Sequence, residues 1–304
     1  MSRKVDIIIV NGFLGSGKTT LLKELLAYEK EVGRKIGILM NELGDVNVDS
    51  AVLPSDVPFK EMLNGCICCT IQGELSLQLK NLLEEYELDV IYIEATGAAH
   101  PIEIIDACTH PLFAAQVQIR AVITVVNAKQ WYEKKLNNKL KKLTIEQVKH
   151  ADIIVVNKKD QITEESLTEV LAEMEAINKT AVVEMATYSK IAPSLLYKKR
   201  TGTIDRGKNE AHVDQHLHLK TVSFSIEEPI NRIKLLQWLE SKGEEIYRVK
   251  GFIKLTEAPG MFLFNFVGGY GSFERYQSNV KPVLVFIGEA LKQEKIKETV
   301  LSMT

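Results

Sequence analysis

Gly12-Phe13-Leu14-Gly15-Ser16-Gly17-Lys18-Thr19 fits the pattern G-x-x-x-x-G-K-[ST], a loop whose backbone N–H groups cradle phosphate. The residues around it supply the context that the pattern needs. Val5–Val10 is an apolar run that reads as a buried strand entering the loop, and Thr20–Val32 reads as a helix leaving it. Leu21, Leu22, Leu25 and Leu26 recur at helical spacing and form its apolar face. Strand, glycine turn and helix N-terminus together make an anion site, because the N–H groups and the helix dipole both favour negative charge. Gly12, Gly15 and Gly17 allow the backbone to approach a phosphate, with Ser16 and Thr20 alongside. Lys18 is expected to reach the β- and γ-phosphates and Thr19 to hold Mg²⁺.

Outward from this loop, Ile36–Met40, Val90–Glu94, Ala121–Val126, Ile153–Val156 and Ala181–Met185 read as further strands. Helical patterns lie between them, including Glu74–Tyr86 with Leu75, Leu79, Leu82 and Leu83 as its stripe. This alternation predicts an α/β fold, a mainly parallel sheet flanked by helices. Ligands of such sheets bind at the carboxyl ends of the strands, and the remaining motifs fall there.

Asn157-Lys158-Lys159-Asp160 directly follows Ile153–Val156. A carboxylate at Asp160 can accept from guanine N1–H and the 2-amino group together, a pair adenine does not offer. Lys158 would lay its stem along the base, and Asn157 would tie this loop to the phosphate loop. Glu94-Ala95-Thr96-Gly97 follows Val90–Ile93. Glu94 is placed to hold Mg²⁺ through water, and Gly97 to offer its N–H to the γ-phosphate. Asn41-Glu42-Leu43-Gly44-Asp45 follows Ile36–Met40, where a γ-phosphate-sensing switch would sit. Glu42 and Asp45 are candidates to bind metal or position water. Lys18, Glu42 and Glu94 are thus the candidate catalytic groups.

Cys66, Cys68 and Cys69 place three of the chain's four cysteines within four residues. Thiolates so dense can wrap a soft or borderline metal ion, most simply Zn²⁺ or Cu(I), with a fourth place left for another donor. An inert buried pair or a redox sensor would also satisfy the local sequence. Cys108 reads as a core residue. His212, His216 and His218 share one seven-residue window and read as solvated loop histidines that could capture a metal ion. His100, His110 and His150 read as isolated structural residues.

The chain has 304 residues, 45% of them hydrophobic and 26% charged, with room for two domains. Its net charge of −2 gives no reason to expect nucleic acid as a partner. No apolar run approaches the ~20 residues of a membrane helix, and the N-terminus reads as a first strand rather than a leader. A cytoplasmic protein with reduced cysteines is expected.

The expected domains are 1–197, a polar linker at 198–215, and 216–304. In the last, Leu217–Ile226, Ile246–Leu255, Met261–Val267 and Val283–Ile287 read as strands. Pro229–Ser241 reads as a helix with Pro229 in its first turn and Gly243 just past its end, and Glu289–Leu301 as a closing helix. This order predicts a smaller α+β domain.

Taken together, the phosphate loop, Asn41-Glu42, Gly65-Cys66-Ile67-Cys68-Cys69, Glu94-Ala95-Thr96-Gly97 and Asn157-Lys158-Lys159-Asp160 stand in the order of the CobW-type GTPases. Arg248-Val249-Lys250-Gly251-Phe252 and Val283–Gly288 resemble that family's second domain. The resemblance covers nearly the whole chain. It implies a P-loop GTPase domain first, GTP and GDP as ligands, Mg²⁺, and a transition metal such as Zn²⁺ at Cys66, Cys68 and Cys69, with Glu42 joining the metal site or the switch. It implies a metallochaperone with slow intrinsic GTP hydrolysis, a client protein that receives the metal, and a nucleotide-dependent homodimer in many relatives. Two departures stand out. His100 precedes Pro101 where the family often has an acidic residue, and only His212, His216 and His218 remain of a longer histidine tract. A regulatory GTP-binding module with a structural or redox-sensing cysteine loop is the alternative, and an ATP-dependent small-molecule kinase a third.

Overall fold

The computed structural model describes residues 4–40, 58–61, 71–134, 136–197, 219–277 and 280–304. Glu42, Asp45, Cys66, Cys68, Cys69, His212, His216 and His218 lie outside the described residues.

The first layer is a seven-stranded sheet in the order β3-β2-β4-β1-β5-β6-β7, with every neighbouring pair parallel. Its strands are β1 (Val5–Asn11), β2 (Ile36–Met40), β3 (Phe59–Glu61), β4 (Val90–Glu94), β5 (Val117–Asn127), β6 (Ile153–Asn157) and β7 (Val182–Met185). Runs such as Ile7-Ile8-Ile9-Val10 are apolar on consecutive residues because both faces are covered. On one face Ile8, Val10, Ile38 and Tyr92 pack against Leu21, Leu22, Leu25 and Leu26 of α1 (Lys18–Glu31). On the other, Ile7, Ile9, Ile91 and Ile93 meet α2 (Ile71–Glu85) and α3 (Pro101–Cys108), with Cys108 buried among them. The helices α4 (Ala128–Tyr132), α5 (Asn138–Lys149) and α6 (Glu164–Ile177) complete this domain.

A five-stranded antiparallel sheet follows, in the order β11-β10-β9-β12-β8. Its strands are β8 (Lys220–Phe224), β9 (Ile246–Lys254), β10 (Met261–Val267), β11 (Tyr270–Tyr276) and β12 (Val283–Gly288). Leu235 and Leu239 of α7 (Arg232–Lys242) and Ile296 and Val300 of α8 (Gln293–Leu301) cover one face. From the other, Ile287, Leu219 and Tyr247 join the apolar cluster around Ile104 and Ile105 of α3. Arg248 on β9 pairs with buried Asp106 on α3 at 2.6 Å, and Lys250 approaches the same carboxylate at 3.5 Å.

Three details depart from expectation. The strands β3 and β11 carry no strong apolar run and emerge only as edges of their sheets. Pro229 is not in the first turn of α7: Ile230 bridges to Leu255, and Asn231 caps the helix by accepting from Lys234 N at 3.0 Å. The closing helix begins at Gln293 rather than Glu289, since Ala290 takes a left-handed conformation. Among the described residues, no helix is long and apolar enough to cross a membrane.

Candidate functional site: the carboxyl edge of the parallel sheet

β1 stands between β4 and β5, and the register aligns Val10 with Glu94, Asn11 with Thr124 and Asn127 with Asn157. Parallel pairing therefore brings the ends of β1, β4 and β6, and the loops that leave them, to one edge of the sheet.

The loop after β1 turns sharply at Gly12, where an added Cβ would fall 2.2 Å from Val125 O. It enters α1 through Gly17, at φ 110. No side chain caps that helix or α8, whereas α3, α4, α5, α6 and α7 are capped by His100, Asn127, Asn137, Thr163 and Asn231. The first N–H groups of α1 are thus open toward an anion. Ser16 is buried, Gly15 and Thr20 are exposed, and Lys18 is 8% exposed with its Nζ 3.5 Å from Phe13 O.

Thr19 Oγ1 donates to Glu94 Oε1 at 2.8 Å across the gap between α1 and β4. A hydroxyl and a carboxylate so paired are hard oxygen donors of the type that Mg²⁺ takes. The loop beyond Glu94 runs back over the phosphate loop: Ala95 N donates to Val10 O at 3.0 Å, and an added Cβ on Gly97 would lie 2.9 Å from Leu14 N.

Asn157 joins three loops. Its Nδ2 donates to Ser16 O and to Ser189 Oγ, both at 2.8 Å, and its Oδ1 accepts from Ser189 N at 2.8 Å. Ser189 Oγ donates in turn to Gly17 O at 3.0 Å. An added Cβ on Gly17 would lie 2.4 Å from Asn157 Nδ2, so the junction closes only around glycine. Lys158 follows in a left-handed conformation, and Asp160 sits exposed in the short 3-10 turn Lys159–Gln161. Sequence reasoning missed Ser189. Its place just past the last parallel strand was the available signal.

The helix that carries Lys18 and Thr19 is anchored from behind. Glu29 on α1 is fully buried, accepts from Tyr92 Oη at 2.7 Å, and also bonds Tyr197 Oη and Arg34. Burial, and then the Glu29 carboxylate, push the Tyr92 hydroxyl well above its ordinary pKa.

The isolated histidines are not all isolated. His100 Nδ1 caps α3 by accepting from Ile102 N at 3.3 Å, and its ring lies 6.3 Å from that of buried His150. The His150 ring is edge-on to Tyr247 of the second sheet at 5.7 Å. His110 lies near Lys250 and Asp106; burial first, then Lys250, hold its pKa down at about 4.

A parallel sheet with a phosphate loop after its first strand is the fold of P-loop nucleoside triphosphatases. The model of the CobW/HypB/UreG nucleotide-binding domain matches residues 6–184, and that of the cobalamin synthesis protein cobW C-terminal domain matches residues 219–304. The chain belongs to the CobW family. It is 29% identical to the zinc chaperone YjiA of Escherichia coli over 317 residues, covering 96% of each chain. It is 28% identical to the zinc chaperone YeiR of the same organism over 277 residues, covering 82% of this chain and 83% of that one. In structure it is similar to the Zn(II)-bound YjiA GTPase from E. coli, with a TM-score of 0.52 over the whole of both chains at 23% identity, which bears on the fold.

Proposed function

We propose that this chain is a GTP-hydrolysing metallochaperone of the cytoplasm. It binds a transition metal, Zn²⁺ first among the candidates, at Cys66, Cys68 and Cys69 with Glu42, and passes it to a client protein. The observation that carries the nucleotide half is the Thr19–Glu94 pair at 2.8 Å beside the uncapped N-terminus of α1. The metal half rests on the cysteine cluster and on relatives named zinc chaperones.

In this reading Gly12, Gly15, Ser16, Gly17, Lys18, Thr19 and Thr20 hold the phosphates. Asn157, Lys158 and Asp160 hold the guanine. Thr19, and Glu94 through water, hold Mg²⁺, which when bound neutralises charge on the β- and γ-phosphates. Lys18 draws on the same charge, and Gly97 offers its N–H to the γ-phosphate. The Asn41–Asp45 switch, ordered by that phosphate, would set the geometry of the cysteine site, and hydrolysis would release it. The GTPase domain 1–197 and the domain 216–304, joined by 198–215, would act as a homodimer when nucleotide is bound.

Linkage makes the coupling measurable, because metal and GTP must change each other's affinity by the same factor. Zn²⁺ affinity of the full chain, titrated under reducing conditions with GDP and with a non-hydrolysable GTP analogue, is expected to differ at least fivefold. Equal affinities would sink the coupling.

A further inference from the structure

Gln147 lies in the last turn of α5 and is fully buried. Its Nε2 donates to Gly97 O at 3.3 Å and to Ala99 O at 3.1 Å, two carbonyls of the loop that leaves β4. The same loop is pressed against the phosphate loop at Leu14 N, so Gly97 is held between the phosphate loop and Gln147.

The mount beneath Gln147 is tied down by hydrogen bonds from three sides. Thr124 Oγ1 on β5 donates to Gln147 O at 2.8 Å. Asn178 Nδ2 donates to Val148 O, Lys149 O and Ala151 O at 2.9, 3.0 and 2.9 Å, closing the carboxyl end of α5. The Asp152 carboxylate accepts from Val122 N at 2.7 Å, tying the start of β6 to β5. A side chain on such a mount can hold a loop in one geometry, which a solvated side chain cannot.

We propose that Gln147 is a positioning residue for phosphoryl transfer: by holding the Gly97 and Ala99 carbonyls, it sets the backbone that presents the Gly97 N–H to the γ-phosphate. The inference rests on the GTPase reading above. GDP has no γ-phosphate, so Gln147 acts on hydrolysis and leaves GDP binding alone. Misplacing such a donor by about 1 Å costs on the order of a hundredfold in rate.

The test uses the full chain with GTP and Mg²⁺. Gln147→Met keeps the length and packing of the side chain and removes both donors. It is expected to lower kcat by at least about tenfold, with Kd for GDP within about twofold of the parent. Gln147→Asn keeps an amide too short to reach both carbonyls, and the same split is expected if the methionine variant does not fold. Parental kcat in either folded variant, or a loss shared equally by kcat and GDP affinity, overturns the proposal. A parent chain that does not hydrolyse GTP defeats the GTPase reading and this inference together. A parent that turns over GTP beside an unaffected Gln147→Met defeats this inference alone.

Discussion

Asp106 on α3 and Arg248 on β9 meet at 2.6 Å, and the aspartate is almost wholly buried. This ion pair joins the helix that follows the Glu94–His100 loop to the second sheet. Removing one partner leaves a charge in the interior, which costs more than the pair itself contributes. Arg248→Met is expected to destabilise the chain by about 2 kcal/mol, less than for an isolated pair because Lys250 stands 3.5 Å from the same carboxylate. Denaturant unfolding measures this. Adding Asp106→Asn to Arg248→Met should recover part of the loss, and no recovery would show that the charge is not its source.

Gly17→Ala should weaken nucleotide binding. Its Cβ would enter the Asn157–Ser189 junction at 2.4 and 2.6 Å, at a φ that L-residues rarely adopt. Strain of this kind costs on the order of 1–3 kcal/mol, so GDP affinity is expected to fall about tenfold or more. Isothermal titration with GDP is the readout, and parental affinity would show that the junction yields.

Thr19→Ala removes the 2.8 Å pair, and Glu94→Gln keeps an acceptor for Thr19 but removes the carboxylate charge. Both should raise the Mg²⁺ concentration needed for half-maximal GTP hydrolysis by about 10- to 100-fold, the usual loss when a group that supports a metal is removed. A Mg²⁺ titration of turnover decides it. Unchanged midpoints would separate the pair from the metal.

Asp160→Ala should erase the preference for GTP over ATP, since it removes the acceptor that guanine alone satisfies. Losses of this type reach roughly 10⁴-fold when a built hydrogen-bonding site is left unpaired. Competition of GTP with ATP for the parent and the variant gives the ratio. An unchanged ratio would return the ATP-dependent kinase to consideration.

His110 gives stability a pH dependence of known sign. Its pKa is about 4 in the folded chain against an ordinary 6.5, because burial and then Lys250 disfavour the cation. Between those values the unfolded chain binds the extra proton, so stability falls as pH drops from about 6.5 toward 4, by at most about 3 kcal/mol. Above pH 6.5 the contribution is level. His110→Gln should flatten this part of the curve of unfolding free energy against pH, and a slope equal to the parent's would rule out His110 as its source.

The strands were legible where apolar residues run together. Ile36–Met40 and Val90–Glu94 matched at both ends, because a strand covered on both faces needs an apolar residue at nearly every position. β11 was illegible because its residues are mostly exposed, and its place is fixed by pairing with β10 along Met261–Val267. The start of α7 slipped from Pro229 to Arg232 because a contact remote in sequence, Ile230 with Leu255, took the intervening residues. His100 and His150 looked unrelated, being fifty positions apart, yet α3 and α5 bring their rings to 6.3 Å.

By itself the sequence determined the parallel sheet, the phosphate loop with its strand and helix, and the candidate partners Glu94 and Asn157. Those signals are local: a periodic apolar face, a glycine where the backbone must turn, a polar residue where an apolar strand ends. Only the tertiary structure decided which of these residues touch. It set Thr19 on Glu94, drew Ser189 into the junction with Asn157 and Gly17, and placed Gln147 beneath Gly97. Each of these is a bond between segments far apart in the chain, brought together by sheet register and helix packing, for which no local pattern of residues exists.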